Sequence, residues 1–224
     1  FIDDYEKAVK KNNLGLNPKQ KIIMQFGFSL LFAIFAMYFP GGPIDGSCIW
    51  IPVFDVTIDL GIFYIPFAVF VMVAFSNAVN LTDGLDGLAS GITALVAFFM
   101  VLAATSFGYT DQPVIFGAVA GGCLGFLMFN KNPAKIFMGD GGSLYLGFML
   151  ASLSVTGTVK SAAFVSMIIP VLELGVQIFH TLFAILRRYV NKKPIMTADK
   201  GHLHHRLMKL GYGQRRATLM LYGM

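Results

Sequence analysis

Six stretches of this chain, 22–39, 61–78, 88–107, 114–129, 144–159 and 162–186, stay apolar for close to the thickness of a bilayer core. About 20 such residues cross the hydrocarbon as a helix, and an α-helix satisfies all of its own backbone amides there. The spacing therefore predicts an all-α fold, a polytopic transmembrane helical bundle with about six complete spans. A further span begins at Ala217. Composition agrees: 56% of residues are hydrophobic and 13% charged, too few charges to cover a soluble surface. No Ser/Gly- or Pro-rich linker divides the chain, so 1–224 reads as one membrane domain.

The basic residues give the orientation, since Lys and Arg gather on the cytoplasmic side of a membrane protein. Crossing once per span puts 1–21, 130–143 and 187–216 on one face, and these hold every Lys and Arg of the 17 except Lys160. The opposite face carries Lys160 with Asp45, Asp55, Asp59 and Asp111. A net charge of +5 distributed in this way suits anionic headgroups or an anionic substrate, and excludes a nucleic-acid binder. Between the first two spans, 47–60 is β-branched and partly alternating, which predicts a short extracytoplasmic hairpin. Cys48 lies in that loop and Cys123 inside a span, so they make a poor disulfide pair. The chain opens at Phe1 almost directly on Asp3-Asp4 and reads as a fragment whose N-terminal spans are missing.

Against this apolar background the carboxylates stand out, because acids at the edge of hydrocarbon are costly and are kept for chemistry or ion handling. Asn77, Asn80, Asp83 and Asp86 recur every three residues. On one α-helix that spacing keeps neighbours on a shared face, where Asp83 and Asp86 converge and repel unless a cation or protons lie between them. Gly84 and Gly87 leave room for a bulky anion to approach the backbone. The competing reading is a helix end whose acids point to water. Downstream, Asn130 to Asp140 forms a loop with Lys131 and Lys135, ending in Gly139-Asp140-Gly141-Gly142. Its cations, hard oxygen ligand and open amides suit a magnesium nucleotide, although turns share the same pattern. Asp3, Asp4 and Lys7 form a third cluster, and His202, His204, His205 and Arg206 a fourth. With no Cys or carboxylate beside them, the histidines fit phosphate or sugar contacts better than a transition metal. All four clusters fall on one face, and a single magnesium-bound diphosphate substrate would account for them together.

These residues resemble the polyprenyl-phosphate N-acetylhexosamine-1-phosphate transferases, in family order and over nearly the whole chain. Asp3-Asp4-Tyr-Glu-Lys7 resembles the first acidic motif. Residues 77–88 resemble Asn-x-x-Asn-x-x-Asp-Gly-x-Asp-Gly-Leu, 133–144 the loop ending Phe-Met-Gly-Asp-x-Gly-Ser-Leu, and 202–206 the histidine motif. The resemblance implies about ten spans in the whole protein. It also implies transfer of a sugar 1-phosphate from a UDP-N-acetylamino sugar to polyprenyl phosphate at the cytoplasmic face of the plasma membrane, with release of UMP and a requirement for Mg²⁺. A homodimer is compatible with it. Residues 1–25 and 77–83 are similar to the branch that transfers phospho-N-acetylmuramoyl-pentapeptide. Residues 199–212 look like the branch that transfers N-acetylglucosamine 1-phosphate for teichoic acid or O-antigen, and Gly141 stands where both branches usually carry Thr or Ser. The histidine loop lies near the sugar end in this family, so UDP-N-acetylglucosamine is the favoured donor.

The expected roles follow. Asp140, with Asp83 or Asp86, holds Mg²⁺, while Lys7, Lys19, Lys135 and the histidines hold phosphate oxygens. Asn77, Asn80 and Asn130 line the substrate, and Phe137 stacks on uracil. Asp3 takes the last proton from the lipid phosphate or itself attacks phosphorus, and Asp4 stands beside it. A cation-coupled transporter would instead need acids buried in mid-span and an inverted repeat, whereas here the clustered acids sit at span ends on one face, Glu173 being a single mid-span acid, and no repeat is visible. A non-enzymatic lipid-phosphate binder would use the basic loops but not the carboxylates.

Overall fold

The computed structural model describes residues 5, 16–39, 46–51, 56–106, 108–156 and 213–222. The expected span at 162–186 and the clusters around Asp3, Asp4 and Lys7 and around His202, His204, His205 and Arg206 lie outside them. Among the described residues there are six α-helices: α1 (Pro18–Tyr38), α2 (Tyr64–Thr82), α3 (Leu88–Ser106), α4 (Asp111–Asn130), α5 (Gly139–Val155) and α6 (Gln214–Tyr222). This is a helical, multi-pass membrane fold. Among the described residues, four helical stretches, Pro18–Tyr38, Gly61–Thr82, Leu88–Ser106 and Asp111–Asn130, are long and apolar enough to cross a membrane. At 17 residues, α5 is shorter.

Helix ends overrun the apolar runs that predict them. The run at 22–39 becomes a helix from Pro18, placed at the first helical position behind Asn17, whose N–H donates to Gln20 Oε1 (2.9 Å). The run at 61–78 opens with a 3₁₀ turn (Gly61–Phe63) and continues as helix to Thr82. The span expected at 144–159 is shifted to Gly139–Val155. Hydropathy marks where side chains meet hydrocarbon, whereas the backbone goes on forming helix wherever its amides gain partners.

Helices α1 to α5 alternate in direction. At one end, the start of α1 meets the start of α5 through Lys21 and Asp140, the end of α2 meets α5 through Asn80, and Asn130 at the end of α4 takes the Gly87 N–H just before α3. At the other end, the Tyr64 hydroxyl at the start of α2 donates to the Val155 carbonyl at the end of α5 (2.6 Å). Lys21, Lys131 and Lys135 therefore share one end, as the charge pattern predicts.

Neighbours in space are not always neighbours in sequence. α2 packs chiefly against α1 and α5, and α3 against α4. Tyr64, Met72, Leu88 and Phe116 are the largest apolar side chains wholly inside this core. Gly147 is what lets α5 lie so close to α2: a Cβ there would stand 2.6 Å from the Phe75 carbonyl oxygen and from the Ser76 Cα. Such small-residue contacts replace hydrophobic driving force in lipid, where apolar side chains gain nothing by leaving one apolar medium for another.

The expected hairpin is present. Strands β1 (Cys48–Ile51) and β2 (Val56–Asp59) pair antiparallel, with Cys48 opposite Asp59 and Ile51 opposite Val56. Asp59 closes it, accepting from the Ser47 hydroxyl (2.6 Å) and the Gly61 N–H (2.8 Å). Cys48 and Cys123 are both free thiols.

Candidate active site

The polar end of the bundle is built around Asp140. Contrary to the expectation of a loop, Asp140 lies in the first turn of α5, where the helix N-terminus favours negative charge. Lys21 Nζ reaches its Oδ2 at 2.6 Å. Asn80 Nδ2 donates to Asp140 Oδ1 (3.3 Å) and to Ser143 Oγ (2.8 Å), and Ser143 in turn donates to the Gly139 carbonyl (2.9 Å). The carboxylate is thus fixed from α1 and α2 at once.

The three-residue spacing does not stay on one helix. α2 ends at Thr82, Asp83 caps it, and 83–87 form the turn into α3, so only Asn77 and Asn80 keep helical positions. The chain has to reverse here, and Gly87 supplies the left-handed residue of that reversal (φ 80°). Asp83 and Asp86 consequently have different surroundings. Asp86 Oδ2 accepts from Asn132 Nδ2 (2.9 Å) and the Ala134 N–H (3.2 Å), which tie it to the α4–α5 loop. The Asp83 carboxyl is pushed up to about 6, first by burial, then by the negative charges of Asp140 and Asp86. Three carboxylates therefore feel one another. Among the described residues, however, no three acidic, His or Cys side chains converge into a ready metal cage.

Asn77 turns away from this group and donates to Gln25 Oε1 (2.6 Å) and the Val73 carbonyl (2.7 Å). Asn130 is only 2% exposed and serves as a bracket. Its Oδ1 accepts from the Gly87 N–H (3.1 Å) and Ser90 Oγ (3.0 Å), while its Nδ2 donates to the Ile136 carbonyl (2.9 Å). Lys19 and Lys135 are exposed, and the Phe137 ring is 73% exposed on the same loop.

Sequence reasoning passed over Lys21, Gln25, Asn132 and Ser143. A signal for the first two exists: Lys21 and Gln25 are polar residues one turn apart at the start of an apolar helix, on the face that continues through Phe28. That face and α5 enclose a groove of about 470 Å³. Lys21, Gln25 and Asp140 line it together with apolar side chains, among them Met24, Phe28 and Phe148.

Comparison with known proteins bears on what such an end can do. The family model described as glycosyl transferase family 4 matches residues 1–158. A probable undecaprenyl-phosphate N-acetylglucosaminyl 1-phosphate transferase of Bacillus subtilis is 40% identical over 207 residues, 92% of this chain and 56% of its own. A phospho-N-acetylmuramoyl-pentapeptide-transferase of Listeria monocytogenes is 39% identical over 227 residues, covering 100% of this chain and 66% of its own. One of the same name from Clostridioides difficile is 40% identical over 225 residues, 99% of this chain and 66% of its own. The chain thus spans between 56% and 66% of the length of these curated relatives.

Proposed function

This chain belongs to glycosyl transferase family 4, and from that membership we propose that its protein moves an N-acetylamino-sugar 1-phosphate from a UDP-sugar to polyprenyl phosphate, releasing UMP. The activities for which its relatives are named support the reaction class. The observation that carries the reading is the Lys21–Asp140 pair at the polar end of an otherwise apolar groove. An amphiphile with a phosphate head and a long apolar chain matches both parts.

In this reading an oxygen of the lipid phosphate attacks the β-phosphorus of the donor. The bond from that phosphorus to the bridging oxygen breaks, and UMP leaves with the electron pair. Two anions must approach each other, so positive charge has to be placed where they meet. Lys21, together with Lys19 and Lys135 on the same end, supplies part of it. Asn80 and Ser143 hold the Asp140 carboxylate in one orientation, and Asn130 holds the acidic turn against the α4–α5 loop. Phe137, exposed beside these groups, offers a face for uracil. Asp3, Asp4, Lys7 and the 202–206 cluster complete the site in the whole protein.

The residues fit Mg²⁺. Asp83, Asp86 and Asp140 offer hard oxygens, and burial, then the charges of Asp140 and Asp86, raise the Asp83 carboxyl; such carboxylates suit an ion typically held by one or two of them plus substrate phosphates. When bound, it would neutralise the diphosphate and the departing UMP. The positive-inside pattern supports a cytoplasmic position for this end.

The favoured donor is UDP-N-acetylglucosamine, and relatives at similar identity carry the pentapeptide-transferase name. UMP release by the full-length protein, offered polyprenyl phosphate with UDP-N-acetylglucosamine or UDP-N-acetylmuramoyl-pentapeptide in parallel, tests both points. Release with the first donor is expected. Release only with the second moves the chain to the other branch, and release with neither overturns the transferase reading.

A further inference from the structure

We infer that Tyr222 is a positioning residue of the acidic turn: its hydroxyl fixes the peptide that follows Asp86 and makes α6 part of the frame of the site. The inference rests on the transferase reading for its consequence, but on separate contacts for its geometry. The Tyr222 hydroxyl donates to the Gly87 carbonyl. The N–H of the same glycine donates to Asn130 Oδ1 (3.1 Å), so Gly87 is held from α6 on one side and α4 on the other. Asp86, one residue back, is tied to the α4–α5 loop through Asn132 and Ala134. Tyr222 therefore closes a ring of contacts around the turn that carries two of the three carboxylates.

The sequence makes room for this contact. A Cβ on Gly91 would stand 2.1 Å from the Tyr222 hydroxyl oxygen and 2.3 Å from the adjoining ring carbon. Any other residue at 91 would expel the phenol from its place. α6 is anchored independently by Ala217 and Leu221, both in the core. It also lies beyond residues 1–158, the part matched by the family model, so its role does not follow from membership alone.

The Gly87 carbonyl keeps another donor without the phenol, the Gly91 N–H (2.9 Å). Tyr222→Phe should accordingly fold. What it loses is the lateral restraint on the turn, and sites of this kind tolerate displacements of only about 0.5 Å.

The test uses the full-length protein in detergent, with three variants: Tyr222→Phe, Gly91→Ala, and Leu221→Ala as a measure of looser α6 packing. Tyr222→Phe should lower kcat for UMP release about tenfold, with KM for the donor changed no more than about twofold and the thermal midpoint held. Gly91→Ala should act in the same direction, and adding Tyr222→Phe to it should cost nothing more. Hydrogen exchange should speed up across 83–91 in Tyr222→Phe. Unchanged exchange there overturns the inference whether or not the protein releases UMP. So does a kcat loss that merely tracks thermal destabilisation as in Leu221→Ala. Failure of the wild type to release UMP with either donor counts against the transferase reading, and the exchange measurement then decides the role of Tyr222.

Discussion

At the scale of single residues, the two kinds of acid in the site should respond differently to loss of charge. Asp140 sits between Lys21 and Asn80 at a helix N-terminus, where an amide is a poorer ligand for a hard cation than a carboxylate. Asp140→Asn should lower UMP release about a thousandfold, the scale of several kcal/mol of lost charge stabilisation. Its elution as a folded membrane protein should be unchanged, and wild-type turnover with Mg²⁺ would remove Asp140 from the site. Asp83→Asn and Asp86→Asn should each cost activity heavily, and the double variant should cost less than the product of the two, because both acids act on the same charge. Mild, multiplicative losses would return them to solvated turn residues. These acids were legible because carboxylates are conspicuous beside apolar runs. Lys21 was legible only as a polar residue at the start of an apolar helix: its contact with Asp140 lies 119 positions away, and no local pattern encodes that partner.

At the scale of elements, what was legible is the existence of each helix, and what was not is where it stops. The repeat of Asn77, Asn80, Asp83 and Asp86 has helical spacing, yet the chain leaves the helix at Thr82. Tertiary bonds from Asn130, Asn132 and Ala134 to the turn outweigh local propensity there. The α2–α5 contact gives a prediction of its own. Gly147→Leu has no space for its side chain against Phe75 and Ser76, and overpacking of this kind typically costs about 1–3 kcal/mol or more. A thermal midpoint equal to wild type would show that the two helices are not in close contact. In the hairpin, the Ser47 hydroxyl and then the Gly61 N–H hold the Asp59 carboxyl below its usual range. A depressed acid stabilises the fold above its unfolded pKa and loses that contribution as pH falls through the folded one. Exchange of the Gly61 amide, corrected for intrinsic rate, should therefore accelerate in acid, and Asp59→Asn should abolish the acid-dependent step.

At the scale of the whole molecule, helical class and alternating direction were legible because the bilayer permits few alternatives and the basic residues mark one side. Donor choice is a property at this scale too, because 1–25 and 199–212 point to different branches. Alanine at His202, His204, His205 and Arg206 should lower transfer while leaving the response to added Mg²⁺ in place, and the wild type should prefer UDP-N-acetylglucosamine. Efficient use of the pentapeptide donor alone would make the N-terminal stretch the better guide. The order of packing was not legible, since nothing local says that α2 should prefer α5 to the helix that follows it. That preference bears on biosynthesis. A nascent chain that has delivered α4 to the bilayer already carries Asp83 and Asp86, but the helix bearing Asp140 and Gly147 has yet to leave the ribosome. Until it arrives and seats itself against α2, the half-made protein lacks both the Lys21–Asp140 pair and the Asn80–Asp140 bond, so the polar end is assembled only when α5 joins.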